Sequence, residues 1–162
     1  LIRRRKAFTV KTIMAFPLGT DVEDKLKVNL RDWLRDNDIE AALDGEAHGV
    51  KTHVIIKSAD ETRAAIDAVC EGKKAEWQAW RVMIDVISDD KSGGRRGRKR
   101  GAIPPVGSTV AALRALFRHS NYPARNAVGI YTAVLEKDAD SRDGVRYQNP
   151  FVLTCDTFTF LE

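Results

Sequence analysis

The stretch Trp77-Gln78-Ala79-Trp80-Arg81-Val82-Met83-Ile84-Asp85-Val86-Ile87-Ser88 decides the fold. Alternate residues of an extended chain point to opposite faces, so Trp80, Val82, Ile84 and Val86 share one face, with Gln78 beside them, while Arg81 and Asp85 share the other. A period of two with one apolar side predicts a strand in a sheet that buries one face.

Working upstream, Val50–Lys57 alternates Val50, Thr52, Val54 and Ile56 against Lys51, His53, Ile55 and Lys57, a second strand. Between them, Asp60–Glu71 carries Ala64, Ala65, Ile66, Ala68 and Val69, which reads as a short helix or ordered loop closed by Gly72. Further upstream, Thr20-Asp21-Val22-Glu23 has the form of a capping box with Thr20 as the N-cap. Val22, Leu26, Leu30, Trp33 and Leu34 follow at helical spacing, and Asn37 and Asp38 stop the helix.

Downstream, Asp89–Gly107 holds five glycines, two prolines and six basic residues, and this composition predicts a mobile loop. Ser108 is placed to cap a helix with Val110, Leu113, Leu116 and Phe117 on one stripe, ended by Asn121-Tyr122-Pro123. Two strands, Ala127–Glu136 and Arg146–Phe160, close the chain around a polar turn. In the last strand the apolar parity changes between Phe151, Leu153, Cys155 and the later Phe158, Phe160, which requires either a bulge near Asp156 or burial of both faces.

The expected fold is therefore α+β, a single domain with a mainly antiparallel or mixed sheet of about four or five strands packed by two or three helices. It spans residues 20–162 with a flexible basic loop at 89–107, after a basic segment at 1–19 that is extended or partly disordered. A chain of 162 residues buries roughly two-thirds of its unfolded surface and needs neither metal nor disulfides. No apolar run approaches the roughly 18 to 20 residues that span a bilayer, so no membrane association is expected. Cys70 and Cys155 are expected as buried thiols in a reducing setting. Leu1 is not an ordinary initiator, so the chain reads as a fragment or as starting elsewhere. The run Arg3-Arg4-Arg5-Lys6 before Ala7-Phe8-Thr9-Val10 lacks the unbroken apolar core of a secretory signal, because Lys11 interrupts it.

The net charge of +4 conceals a division. Arg3, Arg4, Arg5 and Lys6 form one acid-free cluster, and Lys91, Arg95, Arg96, Arg98, Lys99 and Arg100 form another. Setting those ten aside leaves 17 basic residues against 23 acidic ones, an acidic body with its positive charge on a tail and a loop. The six loop cations are the candidate contact residues, suited to phosphate through counterion release or to an acidic protein neighbour. No aromatic residue is interleaved among them for base stacking.

Catalytic and metal-binding patterns do not assemble. His48, His53 and His119 lack a second ligand at zinc spacing. Asp138, Asp140, Asp143 and Gly144 miss the calcium-loop order, since Arg142 and Asp143 stand where an acid or amide and a glycine are needed. Asp89-Asp90 has no partner acid or base, and Gly93-Gly94-Arg95-Arg96-Gly97 lacks the ending of a phosphate-binding loop. No enzyme activity, cofactor or metal is expected.

The succession of an amphipathic helix (Val22–Leu34), the strand Thr52-His53-Val54-Ile55-Ile56, a Gly or charged spacer, the Trp-led strand, the Asp89-Asp90 step, a helix and two final strands resembles the tail-terminator and tail-completion proteins of long-tailed bacteriophages. The likeness lies in element order and strand style, without an invariant motif, over about seven-eighths of the chain. It implies a non-enzymatic virion neck subunit, usually a hexameric homo-oligomeric ring at the head-proximal end of the tail, assembled in the host cytoplasm. Its implied partners are the tail tube protein and the head-tail connector, with non-specific contact to DNA in the lumen. The long Arg-rich loop and the segment before Met14 depart from the family pattern and leave terminator, stopper or another ring position open. The alternative is a small nucleic-acid-binding protein that uses the Arg-rich loop.

Overall fold

A computed structural model describes residues 8–10, 14–46, 52–88, 106–118, 128–138 and 148–162. The described elements are β1 (Phe8–Val10), α1 (Val22–Asp36), β2 (Ala41–Leu43), β3 (Thr52–Cys70), β4 (Lys73–Ser88), α2 (Val106–Leu116), β5 (Ala133–Lys137) and β6 (Gln148–Phe160). The fold is α+β. One mixed sheet runs β1-β3-β4-β6-β5, with β2 beside β1 on the outer edge of β3. β1 and β2 pair parallel to opposite ends of β3, and every other pairing is antiparallel.

The largest departure from expectation is the segment Asp60–Glu71. It forms neither helix nor loop, because β3 runs unbroken from Thr52 to Cys70 and hydrogen-bonds to β4 along its length. Its alanines favour a helix locally, but a helix there would leave the edge of β4 unpaired, and the ladder outweighs a propensity of a few tenths of a kcal/mol per residue, at most about 0.7. The misfit survives as three register shifts, at Ile56/Ser58, Glu61/Arg63 and Arg63/Ile66. Gly72 is a stop signal of a different kind. Glu71 and Gly72 both have positive φ, 52° and 76°, as the central pair of a tight hairpin turn requires, so the chain reverses where a helix end was expected. Both strands are longer than their alternating stretches, since β4 begins at Lys73.

The first helix forms where the apolar spacing puts it, but Asp21 is its N-cap and accepts from Asp24 N at 3.4 Å. The Thr20 hydroxyl turns back and donates to Pro17 O at 2.7 Å, so the expected capping box does not form. Glu23 and Asp24 still meet the positive end of the helix dipole. At the other end Asp38 adopts φ 61°, while Ile39 N donates to Leu34 O and Asp38 N to Arg35 O, a Schellman closure that buries Ile39 beside Leu34.

Leu26, Leu30, Trp33 and Leu34 of α1 pack with Leu113 and Phe117 onto Val54, Ile56, Val82, Ile84, Val86, Phe151 and Leu153. Trp33 and Phe117 meet edge to face at 5.5 Å, joining the two helices over the sheet. Helix α2 starts at Val106, two residues ahead of the expected Ser108 cap, and keeps Leu113 and Phe117 buried. The strand expected from Ala127 begins only at Ala133, because Val128 and Gly129 make a turn. Gly129 has φ 88°, and a Cβ there would stand 2.7 Å from Phe16 Cζ. The close approach requires glycine, and it seats Phe16, almost fully buried, in the main core.

The leading segment contributes to this sheet in two places. Phe8–Val10 forms β1, and Phe16 bridges β6, its amide donating to Phe158 O at 2.7 Å and its carbonyl accepting from Phe160 N at 2.8 Å. No helix among the described residues is long and apolar enough to cross a membrane.

Candidate docking surface

The β6 pairing with β4 runs without a register shift from Ile87↔Gln148 to Ala75↔Phe160. No bulge therefore explains the parity change near Asp156. Burial of both faces does. Phe151, Leu153, Cys155 and Thr157 face the helices and are buried, while Phe158 faces the opposite side and is equally buried. Trp80 Nε1 donates to Thr157 Oγ1 at 2.9 Å, which satisfies the buried indole and hydroxyl together where the helix-side core ends.

Beyond that point the two faces exchange character. On the helix side the next residues are polar: Gln78 Nε2 donates to Glu61 Oε2 at 2.7 Å and Thr159 Oγ1 donates to Gln78 Oε1 at 3.1 Å, a cross-strand row over three strands. On the helix-free side a second cluster forms from Ala68 and Phe158, with Ala15, Trp77 and Tyr131 packed against it. Trp77 and Phe158 stack at 5.9 Å with their planes 19° apart, and Tyr131 tilts onto Phe158 at 5.4 Å. Trp77 and Tyr131 are half-buried, so the cluster presents aromatic surface outward.

Arg63 completes the patch. It lies opposite Ala79 on β4, which places it on the helix-free face, and its guanidinium carbon sits 4.6 Å above the Trp77 ring. Its Nε and Nη2 are shielded from solvent and reach no acceptor. These two nitrogens form one edge of the guanidinium, the fork that binds a carboxylate through two parallel hydrogen bonds. Farther along the same face one charge is buried and paired: Asp85 holds Lys57 at 3.3 Å.

The six loop cations Lys91, Arg95, Arg96, Arg98, Lys99 and Arg100 lie outside the described residues, which bracket them at Ser88 and Val106. His48, His119, Asp89, Asp90, Asp140 and Asp143 also lie outside. Asp138 is described, its amide donating to Pro150 O as the last ladder bond beside β5. Cys70 and Cys155 are buried and form no disulfide, and burial pushes both thiols up, Cys155 far above its ordinary range. Among the described residues no group of three His, Cys, Asp or Glu is placed to hold a metal.

Sequence reasoning missed the patch, although two signals for it were present. Trp77 has odd parity relative to Trp80, and Phe158 breaks the parity of β6. Their joint meaning needed the register that puts Trp77 opposite Phe158. No protein-family model matches the chain, and no curated protein matches it.

Proposed function

We propose that this chain is a ring-forming structural subunit of a long-tailed bacteriophage virion, of the tail-terminator type, which closes the tail tube and meets the head-side connector through its surfaces. The observation that carries the reading is the patch of Trp77, Tyr131 and Arg63 around the buried Phe158, on the face that no helix covers among the described residues. Trp, Tyr and Arg are the side chains that dominate the energetics of protein interfaces, since they bury large area at low entropic cost. The unlike edges of the sheet support the same reading. The β3 edge is capped at both ends by β1 and β2 and bulged between them, whereas β5 is straight with Val134 54% exposed. Contacts between unlike surfaces generate rings when the rotation closes.

In this reading the cations from Lys91 to Arg100 meet DNA or an acidic neighbour, and no catalytic step is assigned. Light scattering coupled to size-exclusion chromatography, followed by electron microscopy, tests it: a closed ring that caps isolated tail tubes is the expected result. A monomer that shifts DNA in a salt-sensitive way would instead select the nucleic-acid-binding alternative.

A further inference from the structure

We infer that two copies of this chain pair through their β5 edges in a twofold, antiparallel contact centred on Leu135. The contact joins like surfaces, so it goes beyond the ring reading and does not depend on it: it makes a dimer where no ring forms and joins two rings where one does.

The hydrogen-bonding directions of β5 are fixed by its partner strand. Bonded and non-bonded residues alternate along an antiparallel pair. Asp138 N donates to Pro150 O at 3.0 Å and Thr132 O accepts from Asp156 N at 3.2 Å, so the even-numbered residues turn their backbone groups toward β6. Ala133, Leu135 and Lys137 therefore turn theirs outward, and among the described residues none of them bonds to anything beyond the ladder. A row of open donors and acceptors is a template for another strand. The row is also bounded. Past Thr132, Tyr131 N donates inward to Asp156 O, and Phe16 takes over the edge of β6 at Phe158 and Phe160. The helices leave this flank clear, since α1 packs chiefly on β2 and β3 and α2 on β3 and β4.

Self-complementarity selects a second copy as the occupant. A twofold axis normal to the sheet brings β5 antiparallel to its twin and keeps both helix layers on one side. Outward groups meet only where odd-numbered residues face odd-numbered ones, which leaves few registers. Centring on Glu136 sets two carboxylates directly opposite each other, and centring on Lys137 sets two ammonium groups so. Centring on Val134 sets Lys137 against Tyr131, whose N–H has already turned to β6. Centring on Leu135 pairs Ala133 with Lys137 and Val134 with Glu136, uses every outward donor and acceptor of both strands, and sets no like charges opposite. Leu135 packs against the main core on the helix side, so its twin extends that core across the axis, while the exposed Val134 meets the Glu136 stem on the other face. Five residues a side are far fewer than the roughly 20–30 of a standard interface, so the dimer is a weak one.

Cysteine pairs read the register in the full chain, because a non-hydrogen-bonded antiparallel pair holds its Cα atoms about 4.5 Å apart, within disulfide reach. The native thiols are buried and do not compete. An equal mixture of Val134→Cys and Glu136→Cys, oxidised with glutathione disulfide at high protein concentration, is expected to give a covalent heterodimer, and neither variant alone to give a dimer. Dimers from either variant alone overturn the register, and a mixture that gives no heterodimer overturns the contact while leaving the ring reading standing. Charge gives a second readout by analytical ultracentrifugation. Val134→Lys faces Glu136 twice across the axis and is expected to tighten self-association about two- to thirtyfold, and Val134→Glu to weaken it by a similar factor. Equal or reversed effects overturn the pairing, and circular dichroism checks that both variants fold.

Discussion

The β3–β4 hairpin has two halves that bury opposite faces. In the half beneath the helices, Val54, Ile56, Val82, Ile84 and Val86 are sealed by α1 and α2, and the other face carries the exposed Arg81. In the half toward Gly72, the helix side carries the Glu61, Gln78 and Thr159 row, and the other side gathers Trp77, Phe158 and Tyr131. The comparison shows that a strand's apolar face is set by what lies over it at each point along its length. It also separates two parts of the molecule: the half covered by the helices holds the main core, and the distal half, which no described helix covers, leaves Trp77 and Tyr131 half-exposed.

The sharpest test of that division is in the helix-covered half. Ile84→Ala empties a site sealed between two helices and a sheet and should cost about 2–5 kcal/mol in urea unfolding, whereas Arg81→Ala on the facing side of the next turn of the pleat should stay within about 0.5 kcal/mol. Equal losses would mean that the two faces are not distinct there.

At the junction of the halves, Thr157→Val removes the acceptor of the buried Trp80 indole and should cost about 1–3 kcal/mol. Gly129→Ala should cost a similar amount, about 1–3 kcal/mol, by driving a methyl into the Phe16 ring at a backbone angle that disfavours alanine. Combining it with Phe16→Leu should recover part of the loss, and strict additivity of the two would show that the close approach is unimportant.

In the distal half, Trp77→Ala should lower stability by only about 1 kcal/mol, because its ring is half-exposed, and under the proposed ring reading it should abolish assembly. A loss of stability as large as that of Ile84→Ala, with assembly intact, would reverse that comparison.

The smallest effect is electrostatic and belongs to the helix-covered half. Glu46 is held below the usual carboxylate range, chiefly by the hydrogen bond that Leu43 N donates to it, with Arg31 at 2.7 Å and Arg35 adding to the shift against desolvation. A carboxyl whose folded pKa is depressed stabilises the fold above its unfolded pKa, and that contribution is lost as pH falls through the folded value. The β2 end should therefore loosen below about pH 4.5. Glu46→Gln should flatten this acid limb in hydrogen exchange at Ala41–Leu43, and an unchanged pH profile would assign the clasp no role.

Much of the helix-covered half was legible in the sequence. The α1 stripe, the Trp80 to Val86 face and the Leu113 and Phe117 pair are periodic patterns, and a period states which residues lie together whatever covers them. The distal half was not legible, for reasons that can be named. Asp60–Glu71 is rich in alanine and reads as helix, and only pairing with the next strand, across the turn at Glu71 and Gly72, makes it extended. The Thr20 cap failed because its hydroxyl had a nearer acceptor in Pro17 O, a choice set by the path of the chain before the helix. The patch needed Arg63, Trp77, Tyr131 and Phe158 from four separate places in the chain, and register shifts on both sides of Arg63 interrupt the alternation that would have shown its face.

By itself the sequence determined the α+β class, the faces of the regular elements and the separation of its positive charge from an acidic body, because each depends on local spacing or composition alone. Tertiary structure decided the length of β3, the exchange of buried faces along the hairpin and the placing of Arg63 over Trp77. Each of these depends on register between strands, and register is chosen by the sum of hydrogen bonds and burial over the whole sheet, which no single segment encodes.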